Sequence, residues 1–360
     1  MWHVLGRKAS GASEWARVQA ECAGHGLCDP PPGAPPRAIP ARPLPAPRPV
    51  APHETWAPGE AAAIWEAHAA HYLAPCSVCA GCVDGDGCTA RPANPARAWL
   101  TAQRALPAAA ALSSGAATVA PTDATRWLDG TVVDADKGRT ARAWVADMMR
   151  WQGPALLVPT RNARTGMVEG LALRFLEPKP NSPKCLTPKG MAHTAPDGTP
   201  RGYGRAGACL KADLVVMVEG LTDALTAEAL LEGEPSAVAI GSISADSMQH
   251  WLPILRERRH GNVVVVPDMD RPKGAAMPTA DGKGQEVATR LVRELRAAGT
   301  RAAIFKPGAM LKRLRAGGFP EEALGRTKDL SDMTRECAAA NIPWPTLCAA
   351  FLTTLEEVTA

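Results

Sequence analysis

The stretch LVVMVEGLTDAL (214–225), taken together with VVVVPDMD (263–270), decides how this chain folds. Each opens on a short apolar run, and the first charged residue after each run is acidic: Glu219 in one, Asp268 in the other. Runs of this length and composition predict strands buried on both faces. Working outward, Leu221–Leu231 has helical spacing, Ala237–Ile240 reads as a strand and Ala245–Arg258 as a helix. Beyond the second run, Gln285–Ala298 reads as a helix and Arg301–Phe305 as a strand. Apolar strands alternating with amphipathic helices call for an α/β unit: a Rossmann-like parallel sheet with helices on both faces.

In such sheets, ligands collect beyond the carboxyl ends of the strands. Glu219, Asp268 and Asp270 stand at two such ends, and the two aspartates, two apart in extended chain, share a face. Clustered carboxylates repel one another unless a cation neutralises them, and oxygen-only ligands suit magnesium or manganese. Magnesium held by a few carboxylates, with substrate phosphate completing its shell, points to phosphoryl chemistry. For any one of the acids, a plain loop-capping role remains the alternative.

The 360 residues exceed one average domain. Apolar residues make up 46% and aromatics 4%, so the cores are expected to pack Ala, Leu and Val. With 40 basic and 36 acidic residues the net charge is +4, too small to mark a nucleic-acid binder, so any basic face must be local. The opening MWHVLGRKASGASEW lacks the apolar core of a secretory signal, and no apolar run reaches the length of a membrane span. A soluble, cytoplasmic protein with no membrane partner is expected.

The chain divides by composition. Residues 1–28 form a short N-terminal segment, and 29–58 are dense in proline, which blocks helix and sheet and predicts a disordered, extended linker. Residues 59–94 hold a predicted helix (Gly59–Leu73) and a cysteine cluster; 95–211 begin with a helix over Pro95–Leu106. Within that segment, Ala155–Pro159 and Gly170–Leu176 read as strands joined by the turn-forming RNARTG (161–166). Residues 212–335 carry the α/β pattern, and 336–360 form a short helical tail.

These motifs resemble a known family. VVMVEGLTDALTA (215–227) is similar to the first Toprim motif, a strand running into Glu-Gly with an Asp in the next helical turn, here Asp223. VVVVPDMD is similar to the second, and AIGSISADSMQHWLPIL (239–255) to the Gly-Ser/Thr segment that DnaG-type primases of bacteria and phages carry between them. TKDLSDM (327–333) resembles the Lys-Asp-x-x-Asp stretch of phage primases and offers Lys328, Asp329 and Asp332 for nucleotide or DNA binding. Upstream, ALLVPTRNARTGMVEGLALRFLEPKPNSPKCLTPKGM (155–191) is similar to the primase basal subdomain, an α+β unit. There, the resemblance implies, Arg174 and Lys184 face the catalytic cleft. AWLTAQRALPAAA (98–110) looks like the family helix ending in an Arg-Gly-Leu turn, with Ala105 where glycine is usual, and RGYGR (201–205) sits where the family has a Gly-containing segment. The family's Asp-x-Asp-x-x-Gly is interrupted by an insertion after Asp270; Gly284 is the preferred match for its glycine, Gly274 the alternative.

The resemblance implies DNA-templated RNA primer synthesis by magnesium-dependent nucleotidyl transfer on single-stranded DNA, with ribonucleoside triphosphates as substrates. Glu219, Asp268 and Asp270 are the implied catalytic and metal-holding residues, Glu219 acting directly, through water or as a general base. A Toprim nuclease using the same metals, and a non-catalytic DNA-binding accessory, are the alternative readings. No Walker-type phosphate loop occurs, so a separate replicative helicase is the expected partner.

Two clusters complete the reading. Cys76, Cys79, Cys82 and Cys88 have spacing that suits one structural zinc, with unmetallated loop cysteines as the alternative and Cys22, His25 and Cys28 as a further candidate set. Residues 161–211 hold nine basic side chains (Arg161, Arg164, Arg174, Lys179, Lys184, Lys189, Arg201, Arg205 and Lys211) against three acidic ones, an excess that suits phosphate. Lys306, Lys312, Arg313 and Arg315 form a second basic group, with a plain solvated face as the alternative.

Overall fold

In the computed structural model of the chain, the described residues are 61–62, 65–66, 95–107, 117–119, 132–134, 139–140, 151–187, 193–258, 261–269, 282–314, 323 and 327–359. They all belong to one compact unit, Ala51–Ala360; the other unit, Met1–Val50, lies outside the described residues. Outside them too lie the rest of the proline-rich segment, the four clustered cysteines, Asp270 and the insertion that follows it. Of the predicted helix over Gly59–Leu73, residues 61–62 and 65–66 are described and are helical.

In chain order the elements are α1 (Pro95–Arg104), β1 (Ala117–Val119), β2 (Val132–Asp134), β3 (Arg139–Thr140), β4 (Ala155–Asn162), β5 (Val168–Phe175), β6 (Cys185–Leu186), β7 (Arg201–Gly204) and β8 (Leu214–Glu219). There follow α2 (Leu221–Leu230), β9 (Ala237–Ser242), α3 (Leu252–Arg256), β10 (Asn262–Val266), α4 (Lys283–Ala297), β11 (Arg301–Ile304), α5 (Pro307–Leu314), α6 (Leu330–Ala339) and α7 (Trp344–Thr359).

Nine strands form one sheet in the order β11-β10-β8-β9-β7-β4-β5-β6, with β1 pairing on β4; β2 and β3 form a separate ribbon. The first four strands run parallel. From β7 onward every pairing is antiparallel. The four-residue β7 is the joint. Its Tyr203 pairs with Gly241 of β9, while Arg201 and Gly202 pair with Asn162 and Arg161 of β4. The parallel half and the hairpin half are therefore one continuous hydrogen-bonded surface.

Side chains on a strand alternate between faces, and here both sets are apolar. Val216, Val218, Val264, Val266 and Ala239 bury against α2, α5, α6 and α7. Val215, Met217, Val263, Val265, Val238 and Ile240 bury on the other side against α3, α4 and Trp251. This double burial is why the strands read as unbroken apolar runs. Phe351 of α7 meets Phe305 edge to face, 5.3 Å between centroids, so the last helix seals the first of these faces. Among the described residues, no helix is long and apolar enough to cross a membrane.

One predicted element differs. Residues 245–258 do not form a single α-helix: Asp246–Trp251 is a 3-10 helix, and only Leu252–Arg256 is α-helical. Pro253 lacks the N–H that a continuous helix would use at that point, and it sits instead in the first turn of α3, where no donor is needed.

The end of α1 shows a second local feature. Ala105 follows the helix with φ of 54°, in the left-handed region, and Leu106 then donates its N–H to the Leu100 carbonyl at 3.4 Å. Ala105→Gly removes the Cβ strain of that conformation. We expect it to raise unfolding stability by about 1 kcal/mol, read as a higher urea midpoint with an unchanged slope.

Candidate functional site

Strand β8 is the hub of the parallel half. Its chain continues through α2 to β9 on one side, while β10, on its other side, continues through α4 to β11 in the opposite direction. Helix α2 covers one face and α4 the other. The crevice between β8 and β10 is thus the topological switch point, where open α/β sheets bind ligands. Val218 pairs with Val266, so Glu219 and Asp268 leave the sheet side by side at this point.

Backbone geometry concentrates both acids there. Gly220, at φ 93° and ψ 171°, turns the chain sharply from β8 into α2 in a conformation reserved for glycine. The Glu219 carboxylate accepts an N–H from Ala245 at 3.2 Å. Gly284, in the first turn of α4, closes the crevice: a Cβ there would lie 2.5 Å from Glu219 Oε2 and 3.2 Å from the Asp268 carbonyl oxygen. Glu219, Asp268 and the start of α4 therefore meet at one point. Asp270 lies outside the described residues.

The Lys328–Asp332 segment reaches the same crevice. The N–H of Met269, next to Asp268, donates to the Lys328 carbonyl at 2.8 Å. Asp329 caps α6 by accepting the Asp332 N–H at 2.6 Å, and the Asp332 carboxylate accepts the Lys328 N–H at 3.1 Å. Asp332 also pairs with Arg335. Both aspartates thus carry a helix-capping duty, which the sequence reading did not include.

Asp223, in the first turn of α2, is buried and accepts both the N–H and the hydroxyl of Ser331, at 3.1 and 3.2 Å. Burial, followed by the charge of Asp329, pushes its carboxyl well above the usual carboxylate range; the Ser331 hydrogen bonds and Arg104 oppose the shift. Burial likewise raises Asp329.

Two arginines come from the hairpin half. Arg174 of β5 is 8% exposed, and its strand neighbour in β6 is Cys185, next to the exposed Lys184. Arg104, at the end of α1, lies close enough to Asp329, Arg174 and Asp223 to feel their charges, and burial lowers its pKa. The Arg104 carbonyl accepts the Thr334 hydroxyl at 2.7 Å, locking the end of α1 to α6. Trp99 and the Ala245 N–H were not singled out from sequence, because nothing in their spacing announces a site, whereas Arg104 occupies the arginine of the Arg-Gly-Leu-like turn over 104–106.

The basic excess over 161–211 divides on inspection. Arg164 forms a bidentate pair with Glu257 at 2.5 and 2.8 Å, Arg201 pairs with Glu169 at 2.9 Å, and Arg205 pairs with Glu228. Arg161 donates to the Gly166 carbonyl at 3.2 Å. These four hold β4, β5, β7, α2 and α3 to one another. Lys179, Lys184 and Lys211 are exposed and Arg174 is buried against the Trp99 ring, while Lys189 lies outside the described residues. Of the second basic group, Lys306 is exposed; the side chains of Lys312, Arg313 and Arg315 lie outside the described set. Among the described residues no three His, Cys, Asp or Glu side chains are grouped to hold a metal ion.

No protein-family model and no curated protein matches the chain. The solved structures it is similar to include primase domains. The primase fragment of the bacteriophage T7 primase-helicase is 12% identical, with 67% of this chain and 69% of that one covered and a TM-score of 0.37. The RNA polymerase domain of Mycobacterium tuberculosis primase DnaG, solved with double-stranded DNA, is 20% identical, with coverage of 84% and 98% and a TM-score of 0.39. Bacteriophage T7 primase domains bound to an RNA/DNA hybrid are 14% identical over 44% and 74%, with a TM-score of 0.30. At these scores the superpositions are loose.

The raised carboxyl of Asp223 has a definite sign. The folded state holds its proton more tightly than the unfolded chain, so stability is greatest below the unfolded carboxylate value and is lost as pH rises towards the folded one. Asp223→Asn keeps an oxygen for both Ser331 donors and cannot ionise. In EDTA, we expect it to become more stable relative to the parent between about pH 5 and pH 8, by at least about 1 kcal/mol, measured by urea unfolding at each pH.

Proposed function

We propose that this chain is a DnaG-type primase, with a Toprim unit formed by β8–β11 and a basal unit formed by the β4–β6 hairpin region. It would join ribonucleotides into a short RNA primer on a single-stranded DNA template. One observation carries the reading: Glu219 and Asp268 leave adjacent parallel strands at the switch point and meet against Gly284. Arg104, at the end of α1, stands near Asp223 and Asp329, and Arg174 of β5 is near Arg104. A nucleic-acid binder gains nothing from acids clustered where phosphate must lie; a phosphoryl-transfer site does.

The donor set fits a divalent cation. Carboxylate oxygens without nitrogen or sulfur suit magnesium or manganese, and the missing Cβ of Gly284 leaves the Glu219 carboxylate its place. Glu219, Asp268 and Asp270 would hold it. Bound there, magnesium would lower the pKa of a 3′-hydroxyl and offset charge on a triphosphate. The reaction joins that 3′-oxygen to the α-phosphorus and releases pyrophosphate.

The remaining work falls to side chains. The Ala245 N–H orients the Glu219 carboxylate, and the Met269–Lys328 bond fixes the loop that carries Asp268. Arg174 and the exposed Lys184 would neutralise phosphate on substrate or template. The hairpin and the parallel strands share one sheet, which would hold Arg174, on β5, in a fixed register with the strands that carry the acids.

The test is incubation of the full chain with single-stranded DNA, labelled ribonucleotides and magnesium, scored for extension against cleavage. Extension that needs ribonucleotides is expected. DNA cleavage without them would transfer the site to a nuclease. Asp268→Ala should abolish extension with an unchanged urea midpoint, and retained synthesis would remove Asp268 from the site. Gly284→Ala is the subtler probe. Its Cβ displaces the Glu219 carboxylate, a flexible side-chain end, so stability should stay within about 1 kcal/mol while extension falls on the order of 100-fold.

A further inference from the structure

Trp99 has no part in the proposed chemistry, yet it lies under two cations at once. The guanidinium carbons of Arg104 and Arg174 lie over its ring, 5.0 and 5.7 Å from the centroid. The ring is itself fixed, because Trp99 Nε1 donates to the Leu176 carbonyl, two residues beyond Arg174, at 3.0 Å. One tryptophan thereby couples the end of α1 to the end of β5.

Two guanidinium groups brought together repel, and that repulsion helps lower the pKa of Arg104. An aromatic face offsets part of the cost by attracting both cations to its negative quadrupole. The neighbouring acids are engaged elsewhere: Asp223 accepts from Ser331, and Asp329 accepts from the Asp332 N–H. Meanwhile Arg174, 8% exposed, keeps its Nη1 buried with no hydrogen-bond partner, and the Nε of Arg104 is in the same condition. One buried N–H donor on each of two cations held at the same ring, both without a hydrogen-bond partner, suits an oxyanion carrying more than one charge.

We propose that Trp99 is a positioning residue that holds Arg104 and Arg174 as a paired cation for the phosphates of a nucleoside triphosphate. The assignment of that triphosphate to an incoming ribonucleotide rests on the primase reading; the pairing by Trp99 does not. Trp99 touches no substrate in this scheme and acts through the two arginines. A triphosphate is favoured over a diester backbone because two adjacent guanidinium groups match several charges concentrated on neighbouring phosphates.

The experiment measures binding of inorganic triphosphate and of ATP, each with magnesium, to the full chain by calorimetry, for the parent, Trp99→Phe and Trp99→Leu. Phe keeps an aromatic face but loses the bond to Leu176; Leu keeps bulk and loses the face. Trp99→Leu should weaken both probes about 10-fold and Trp99→Phe less than about 3-fold. Combining Trp99→Leu with Arg174→Lys should cost less than the two separate losses together. Urea midpoints guard against simple unfolding: Trp99→Leu with parental affinity and a lowered midpoint would make the ring a packing element only and overturn the proposal. So would Trp99-dependent binding of single-stranded DNA with no triphosphate binding. Trp99-dependent triphosphate binding in a chain that synthesises no primer would leave this inference standing and remove the primase reading instead.

Discussion

The structure depends on one constraint: β8 must be covered by apolar groups on both faces while its neighbours lead the chain away in opposite directions. Val216 and Val218 satisfy the first requirement on one face, Val215 and Met217 on the other. With no polar position inside the strand, the first charged group falls at its end, and the same holds for β10. The diverging connections bring the start of α4 above those two ends, where a Cβ at position 284 would crowd the Glu219 carboxylate. Hydrophobic burial thus places the acids, and their placement creates the crevice.

Holding acids and arginines in so small a volume is costly, and the molecule distributes that cost by hydrogen bonding. Asp223 is buried against Ser331, Asp329 is used as a helix cap, and Asp332 is shared between Lys328 and Arg335. Each carboxylate gains donors that offset part of its desolvation. The Asp223–Ser331 bonds tie α2 to α6, and the Met269–Lys328 backbone bond adds the loop after β10 to that frame. The residues that would be called functional from a motif and those that hold the frame are largely one set.

The arginines divide in the opposite way. Arg164, Arg201 and Arg205 are consumed in pairs: Arg164 fastens the β4–β5 hairpin to the end of α3, Arg201 joins β7 to β5, and Arg205 joins the chain after β7 to α2. Arg258 satisfies the carbonyls of Cys209 and Ala212, between β7 and β8, at the opposite end of the parallel strands from the acids. A count of basic side chains over a segment therefore overstates its capacity for phosphate, since a guanidinium serves equally well as a staple for backbone and carboxylate. Only position in three dimensions separates the two uses.

By itself the sequence determined the α/β alternation from 214 to 305, the strand ends at Glu219 and Asp268, and the hairpin from 155 to 175, because each follows from local periodicity and from where an apolar run stops. Even the left-handed turn at Ala105 was signalled by a position where glycine is usual. What only the tertiary structure decided was longer in range. The brief β7 merges two apparent subdomains into one sheet, residues 245–258 split at Pro253, and 344–359 pack into the core as a long helix. The meeting of Trp99 with Arg104 and Arg174 belongs there as well. Periodicity encodes which face of an element is buried; it carries no record of which distant partner buries it. That choice is made by the packing of the whole chain.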